Sequence, residues 1–146
     1  MRVVIQRVKE ARVTVAGKTI GQIQKGLLIF LGIAKDDEAK DADYLVEKIL
    51  SLRIFDDSQG KMNLPSVEVN AQFLVVSQVT LYGDCRKGRR PSFDQAADPK
   101  KGEALYETFV EKLLIRHAAV ETGQFRAMME VSLINDGPVT FILDSR

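Results

Sequence analysis

The sequence is poor in the residues that build cross-links and metal centres. Its 146 residues include one cysteine, one histidine and no tryptophan. The single cysteine, Cys85, excludes an internal disulfide bond and fits a reducing compartment. Cys85 and His117 are too few for a zinc site, and no group of carboxylates has the spacing of metal ligands. We therefore expect neither a metal nor a cofactor.

Long hydrophobic runs are also missing. The longest run near the N-terminus covers residues 26–34, which is too short to span a bilayer. The first residues alternate as a strand does and carry charges at Arg2, Arg7 and Lys9, unlike a secretory signal. We expect a cytoplasmic protein without a membrane partner.

What the chain does contain is typical of one globular domain. Hydrophobic residues make up 45% and charged residues 28%, which is enough apolar surface for one core. We predict a single domain over residues 1–146. The net charge of +1 excludes a generally basic nucleic-acid coat protein, so an RNA partner would need a local basic surface.

The hydrophobic pattern predicts strands before, between and after two helices. Strands are expected at residues 2–8, 11–15, 19–23, 26–33, 73–79, 124–134 and 139–143. One helix is predicted near residues 37–52, and a second begins at Asp98-Pro99 after a polar excursion over residues 56–70. This order favours an α+β fold with a largely antiparallel, barrel-like sheet and two main helices.

Polar residues follow a buried strand at Ser77-Gln78-Val79-Thr80-Leu81. Because buried polar groups need partners, such a segment at the end of an apolar run can indicate a functional site. The pattern also fits a strand that leaves the core and caps its own backbone with Ser and Thr hydroxyls. The segment by itself favours the second interpretation.

The segment Asn135-Asp136-Gly137-Pro138 lies between two predicted strands and has the composition of a turn. Only about 5–6% of X–Pro bonds in folded proteins are cis, so the pattern alone favours a trans turn.

A basic run covers residues 86–90. Its charges can hold RNA phosphates or form a solvated loop, and the pattern does not decide between the two. A reactive pair of Cys85 with His117 is a weaker alternative, since the two residues are far apart in sequence and His117 ends a predicted helix.

Together these segments resemble the bacterial and eukaryotic D-aminoacyl-tRNA deacylase family, over nearly the whole chain. The resemblance is carried by an ordered set of motifs at residues 1–8, 53–56, 60–63, 77–81, 90–93, 104–106 and 135–141. It implies a hydrolase that removes D-amino acids from tRNA, and glycine mischarged on tRNA-Ala. It also implies a homodimer with two sites at its interface.

The resemblance further implies roles for particular residues. The Ser-Gln-x-Thr-Leu segment lines the pocket for the 3′ end of the charged tRNA, and the Gly-Pro dipeptide, with a cis bond, enters from the partner subunit. The implied catalytic set is Ser77, Gln78, Val79 and Thr80. The implied set for chiral selectivity is Gly137 and Pro138, with Arg7 orienting their loop. The candidate tRNA-binding set is Arg86, Lys87, Arg89 and Arg90.

Two positions depart from the family pattern. Val79 stands where phenylalanine is usual, which matters little if only its backbone N–H is used. Arg126 stands where glycine or alanine is usual, which puts the local packing near Phe125 in question.

The chemistry of the ester suggests how such a site works. Hydrolysis passes through a tetrahedral oxyanion, so we expect the Val79 N–H, with Gln78, to form an oxyanion hole. Thr80 lacks an evident base, so we favour assistance by the substrate 2′-OH. The remaining alternatives are a Thr80-dependent hydrolase of another acyl ester and a dimeric RNA-binding protein without catalysis.

Overall fold

A computed structural model describes residues 1–117 and 119–146. Within these residues the chain forms eight strands, two α-helices and two 3₁₀ helices. The strands are β1 (Arg2–Val15), β2 (Lys18–Ile23), β3 (Gly26–Gly32), β4 (Arg53–Asp56), β5 (Met62–Pro65), β6 (Gln72–Ser77), β7 (Val120–Thr122) and β8 (Glu130–Asp144). The helices are α1 (Ala39–Ser51), α2 (Pro99–Arg116) and the 3₁₀ helices Ser66–Val69 and Val79–Tyr82.

Six of the described strands form one sheet around the long strand β1. β1 pairs antiparallel with β2, β3 and β8, whereas β3–β6 and β6–β7 are parallel pairs. The predicted α+β class with two helices is confirmed, and the sheet is mixed rather than purely antiparallel. The parallel pair β3–β6 arises because α1 lies in the connection between the two strands, as a parallel crossover requires.

The continuous apolar sequence of β3 is explained by burial on both faces of the sheet. Leu27, Ile29 and Leu31 belong to a core shared with the helices, while Leu28 belongs to a second core. The second core also contains residues of β1, β2 and β6, so it is enclosed by the curvature of the sheet. A strand buried on both faces cannot alternate polar and apolar residues.

Helix α2 begins where the sequence predicts. The Asp98 carboxylate accepts hydrogen bonds from the backbone N–H groups of Lys100 at 3.0 Å and Lys101 at 3.1 Å. The Tyr106 hydroxyl donates to the Val75 carbonyl at 2.9 Å, which fixes α2 against β6. No helix in the described part of the chain is long and apolar enough to cross a membrane.

The prediction of a turn between two strands at residues 135–138 is wrong. β8 runs from Glu130 to Asp144 as one strand along β1, and its register jumps from Asn135, opposite Val8, to Thr140, opposite Gln6. Residues 136–139 therefore bulge out of a continuous strand. The same pairing joins the predicted strands 2–8 and 11–15 into the single strand β1.

Candidate functional site

The segment after β6 leaves the sheet at a defined point. The Gln78 N–H donates to the Leu31 carbonyl at 2.8 Å, and the 3₁₀ helix Val79–Tyr82 follows. This helix packs on Gly32, where an added Cβ would lie 2.9 Å from the Leu81 Cβ and 3.2 Å from the Gln78 carbonyl oxygen. The missing side chain of Gly32 is thus what allows the segment to approach β3.

Two main-chain donors are left free at this segment. Among the described residues, the N–H groups of Val79 and Thr80 have no hydrogen-bond acceptor, and Val79 is 54% exposed. The Gln78 side-chain amide donates to the Thr80 hydroxyl. Neither the Ser77 nor the Thr80 hydroxyl caps the helix, so the backbone-capping interpretation of this sequence is wrong.

A small apolar pocket adjoins these donors. Its volume is about 180 Å³, and it lies between the end of the sheet and the first turn of α2. Leu31, Pro99 and Phe125 contribute apolar surface, and residues 77–79 form one wall. A second, more open groove of about 470 Å³ borders the same segment. The pocket is smaller than the roughly 300–1,000 Å³ typical of drug-sized ligands, so it suits one ring system.

Arg126 borders both the pocket and the groove. It lies in a turn in which the Ala127 N–H donates to the Gln124 carbonyl at 3.2 Å. Its φ is +62°, in the left-handed region that favours glycine at the third position of such a turn. The Phe125 ring packs 5.8 Å from Tyr106 and anchors the turn on α2, so the local packing tolerates this departure from a small residue.

Arg7 lies at the centre of a second cluster. Its side chain is 7% exposed, and the guanidinium donates to the carbonyls of Ile54 at 2.8 Å and Asp136 at 3.1 Å. It also forms ion pairs with Asp56 and Asp136, each at 3.2 Å. The Asn135 amide donates to the carbonyls of Arg7 at 2.9 Å and Val139 at 3.3 Å. Both side chains therefore hold the bulge in β8.

Gly137 and Pro138 occupy the tip of this bulge. Both are exposed, and the peptide bond between them is cis, so the trans geometry expected from the pattern alone is wrong. An added Cβ at Gly137 would lie 3.0 Å from the Asn135 side-chain oxygen.

The structure does not bring the two clusters together within one chain. Arg7 pairs with Leu27 on β3, whereas Gly32, under the 3₁₀ helix, pairs with Arg2. Five residues of extended strand separate these points, which is roughly 17 Å. A site that used both clusters would have to be assembled from two copies.

The basic run forms an exposed loop. Backbone hydrogen bonds between Asp84 and Ser92, at 2.7 and 2.9 Å, close it. Arg86 contacts the Asp84 carboxylate at 2.6 Å and lowers its pKa to about 2, so this cation is neutralised locally. The side chains of the remaining cations are exposed and form no ion pair with any described residue; they are Lys87, Arg89 and Arg90.

The structure separates Cys85 from His117. The His117 ring contacts the Ala71 carbonyl and packs 4.5 Å from the Phe73 ring, at the start of β6. Cys85 lies beyond the other end of that strand, roughly 20 Å away for six extended residues. A Cys–His pair is therefore excluded.

Some contributors to the site escaped the sequence reasoning. Gly32 lies inside the apolar run 26–34, and nothing in the sequence signals that it supports the neighbouring segment. The sequence pattern places Asn135 in a turn, whereas in the structure its amide holds the bulge. The position of Arg126 beside both cavities depends on the packing of Phe125 and has no sequence signal.

Comparison with known proteins identifies one family over nearly the whole chain. A family model described as D-Tyr-tRNA(Tyr) deacylase matches residues 4–144. A protein of Thermotoga petrophila named D-aminoacyl-tRNA deacylase is 59% identical over 145 residues, covering 99% of this chain and 97% of that protein. A protein of Thermosipho africanus with the same name is 58% identical over 146 residues, covering 100% and 98%.

Solved structures have the same fold. One named c-Myc DNA Unwinding Element Binding Protein has a TM-score of 0.95 and 38% identity, covering 100% of this chain and 99% of that chain. Another, described as a probable eukaryotic D-amino acid tRNA deacylase, has a TM-score of 0.85 and covers 98% of both chains. At 19% identity this second likeness concerns the fold alone.

Proposed function

Since the chain belongs to the D-Tyr-tRNA(Tyr) deacylase family, we propose that it is an aminoacyl-tRNA editing hydrolase. It cleaves the ester bond of D-aminoacyl-tRNA, and of glycyl-tRNA mischarged on tRNA-Ala, and releases the free amino acid and tRNA. Residues 1–146 act as one catalytic domain. The observation that carries the proposal is the pair of free main-chain donors at Val79 and Thr80, beside a pocket of one-ring size.

The free donors suit the charge that develops during ester hydrolysis. Attack of water on the ester carbonyl places negative charge on oxygen, and a preorganised N–H stabilises that charge. The Val79 N–H fills this role with help from the Gln78 amide. Loss of one such donor costs about 2.7–4 kcal/mol in comparable enzymes. Because the donor belongs to the backbone, valine serves here as well as phenylalanine.

The neighbouring pocket suits the terminal adenine of tRNA. Its lining is mostly apolar, as a stacked base requires, and its size admits one base rather than a whole nucleotide. Placing the base there positions the ribose ester at the adjoining segment. Ser77 lines both the pocket and the groove and helps to shape this entrance.

A protein base is not needed at this site. The Thr80 hydroxyl is exposed and bonded only to the Gln78 amide among the described residues, so nothing activates it as a nucleophile. Burial raises the pKa of Tyr82, on the same 3₁₀ helix, to about 12, so it stays protonated at neutral pH. The terminal ribose 2′-OH, next to the ester, guides the attacking water.

Chirality is selected by exclusion. The carbonyls of Gly137 and Pro138 bind the α-ammonium group of the substrate and leave no room for a side chain in the L position. A D side chain points outward, and glycine has none to reject. Arg7 holds the loop through Asp136 and thereby sets the direction of these carbonyls.

The Gly137–Pro138 loop reaches the site from a second copy of the chain. The separation of roughly 17 Å along the strand supports this assembly. The free edge of β8 also supports a second copy, because among the described strands β8 pairs with β1 alone and its other edge has no partner. Its exposed apolar side chains include Ile134, Phe141 and Ile142. A long edge strand with apolar side chains is normally covered, and a homodimer through β8 covers it.

The exposed basic loop contributes to tRNA binding. Lys87, Arg89 and Arg90 are available for phosphates, with Arg86 partly neutralised by Asp84. A cytoplasmic location follows from this substrate, because charged tRNA is used there.

Two alternatives predict different results. A Thr80-dependent hydrolase of another ester would form an acyl-enzyme, which a trapping experiment would detect. A nucleic-acid-binding protein without catalysis, as the name of one solved relative suggests for that relative, would lose binding steeply with salt and tolerate substitution of Gln78. The free donors at Val79 and Thr80 favour catalysis, since phosphate binding alone does not require them.

The deciding experiment compares D-tyrosyl-, L-tyrosyl- and glycyl-tRNA as substrates. We expect rapid release from the D-tyrosyl and glycyl esters and none above background from the L-tyrosyl ester. Gln78→Ala should lower kcat by about 10²–10³-fold, as for a lost oxyanion-hole donor. Gln59→Ala, in an exposed loop, is the matched control and should match the parent protein. Faster hydrolysis of the L ester would overturn the proposal.

A further inference from the structure

Arg126 adopts a backbone conformation that its side chain does not favour. Its φ of +62° places it at a turn position where glycine is preferred. Left-handed backbone at a non-glycine residue persists where the surrounding structure enforces it, and such positions cluster at ligand sites. The Phe125 ring enforces it here by packing on Tyr106.

The side chain of Arg126 has no structural role that would explain its presence. It is exposed and forms no hydrogen bond or ion pair within residues 1–117 and 119–146. It nevertheless lines both the 180 Å³ pocket and the groove that border the Ser77–Thr80 segment. A free guanidinium at this place is available to a bound ligand.

The charges of the substrate identify the group that Arg126 meets. In the proposed function, on which this step rests, the pocket holds the terminal adenosine of an aminoacyl-tRNA. The α-ammonium group of the amino acid repels a guanidinium, and the base and ribose are neutral. The only anions near the reacting end are phosphodiesters, whose paired oxygens match the planar fork of arginine.

We infer that Arg126 binds the phosphodiester immediately preceding the terminal adenosine and so positions the 3′ end of the tRNA. This contact is separate from the exposed loop 86–90, which suits more distant phosphates of the tRNA. It makes Arg126 a positioning residue: it acts on substrate binding and leaves the hydrolysis step unchanged.

The test uses three substrates that differ in phosphate content: D-tyrosine esterified to adenosine, to cytidylyl-(3′→5′)-adenosine, and to tRNA. Arg126→Gln should raise KM for the dinucleotide and tRNA esters, with kcat unchanged, and should not alter KM for the adenosine ester. For tRNA, the slope of log affinity against log salt should become shallower by about 0.7–1. Arg126→Lys keeps the charge but loses the planar fork, so it should raise KM for the dinucleotide ester less than Arg126→Gln does.

Arg116→Gln is the matched control. It removes the same charge at the far end of α2, about 27 Å from the first turn that borders the pocket. It should leave every KM unchanged. Arg126→Gly adds a second readout, because glycine relieves the left-handed backbone. This variant should raise KM for the dinucleotide ester and should not lower Tm.

The outcomes separate this inference from the proposed function. If the parent protein hydrolyses none of the D esters, the proposed function fails. If it hydrolyses them and Arg126→Gln leaves KM and the salt slope unchanged, only the role of Arg126 fails. An equal rise in KM for the adenosine ester would overturn it too, since the guanidinium would then contact the base.

Discussion

At the scale of single residues, Arg7 and Arg126 differ in the contacts that their side chains make. Arg7 is buried and saturated with partners, including two carbonyls and two carboxylates. A buried charge is tolerated only when it is paired and hydrogen-bonded, so Arg7 is part of the framework. Arg126 is exposed, unpaired among the described residues, and in a conformation that costs about 1–2 kcal/mol. The packing of Phe125 enforces this backbone, but the Arg126 side chain gains no hydrogen bond or ion pair from it among the described residues, and this is what suggests a ligand.

Thr80 provides the prediction at this scale. Thr80→Val removes the hydroxyl and keeps the shape, so kcat should fall by no more than about tenfold, the value of one net hydrogen bond. A D-tyrosyl-tRNA ending in 2′-deoxyadenosine should react about 10²–10⁴-fold more slowly, as for a lost proton-transfer group. Single-turnover hydrolysis rates of the Thr80→Val variant and of the 2′-deoxy substrate test these two expectations.

Thr108→Val is the control and should match the parent rate, because the half-buried Thr108 hydroxyl donates to the Ala104 carbonyl within α2, away from the site. The opposite pattern, with Thr80→Val inactive and the deoxy substrate normal, would identify Thr80 as the nucleophile and exclude substrate assistance.

At the scale of elements, the site depends on how β6 ends against β3. The backbone bond from Gln78 to Leu31 continues the parallel ladder by one residue, and then the chain turns into the 3₁₀ helix Val79–Tyr82. The far end of this helix is held by Arg2, which donates to the Leu81 carbonyl at 3.3 Å and lies 5.6 Å from the centre of the Tyr82 ring. The donors of Val79 and Thr80 are thus fixed from both ends.

Gly32→Ala tests this arrangement. The added methyl meets the Leu81 Cβ at 2.9 Å, so the 3₁₀ helix must move. We expect a loss of about 1–3 kcal/mol in the free energy of unfolding, as for an overpacked core, together with a lower kcat. Urea denaturation and steady-state rates measure the two effects.

The same substitution in α2 is the comparison for stability. At Gly102 the added methyl lies 3.5 Å from the Phe125 ring, an ordinary contact, and helix propensity favours alanine by about 1 kcal/mol. Gly102→Ala should therefore stabilise the protein. Parent-like stability and kcat in Gly32→Ala would show that the close approach at Gly32 is not required.

At the scale of the whole molecule, one sheet carries both clusters but holds them apart. The Arg7 cluster and the Ser77–Thr80 segment lie near opposite ends of β3, and the exposed edge and apolar side chains of β8 lie beside the former. A rigid sheet cannot bend to close such a gap. Under the proposed function, two copies related by symmetry complete each site with the loop of the other.

Subunit complementation tests this assembly. Gln78→Ala disables the donor segment, and Gly137→Val disables the loop, so each variant alone should have little activity. Unfolded together and refolded, they should recover about a quarter of the parent activity, because half of the dimers are mixed and each mixed dimer has one intact site.

Mixing without unfolding is the control and should recover activity only as fast as subunits exchange. Sedimentation of the parent protein should give twice the chain mass of 16.3 kDa. Recovery of no activity from a mixture shown to contain mixed dimers would mean that each site lies within one chain.

Several elements were predictable because their signals are local. The Asp98-Pro99 cap sets the start of α2, and the predicted helix at 37–52 differs from α1 by only two residues at its start and one at its end. The apolar run at 26–33 identified β3 as a buried strand because burial on both faces leaves no polar alternation. The ordered motifs likewise indicated the family.

Other features could not be predicted from local patterns. The segment Asn-Asp-Gly-Pro has the composition of a turn. It becomes a bulge because β8 pairs with β1 both before and after this segment, and because Arg7 donates to the Asp136 carbonyl. The strand predicted at 124–134 is wrong over its first half: β8 begins only at Glu130, because the preceding residues fold into the turn that carries Arg126. The short strand β7, at Val120–Thr122, was not predicted.

The sequence alone determined the two helices, the buried strand β3 and the family, since capping, periodicity and ordered motifs are properties of short segments. The tertiary structure alone decided that the Val79 and Thr80 N–H groups meet no acceptor among the described residues, that Gly32 leaves room for their segment, and that Arg126 borders both cavities. These features arise from contacts between segments far apart in the chain, and their geometry follows from packing rather than from local preference.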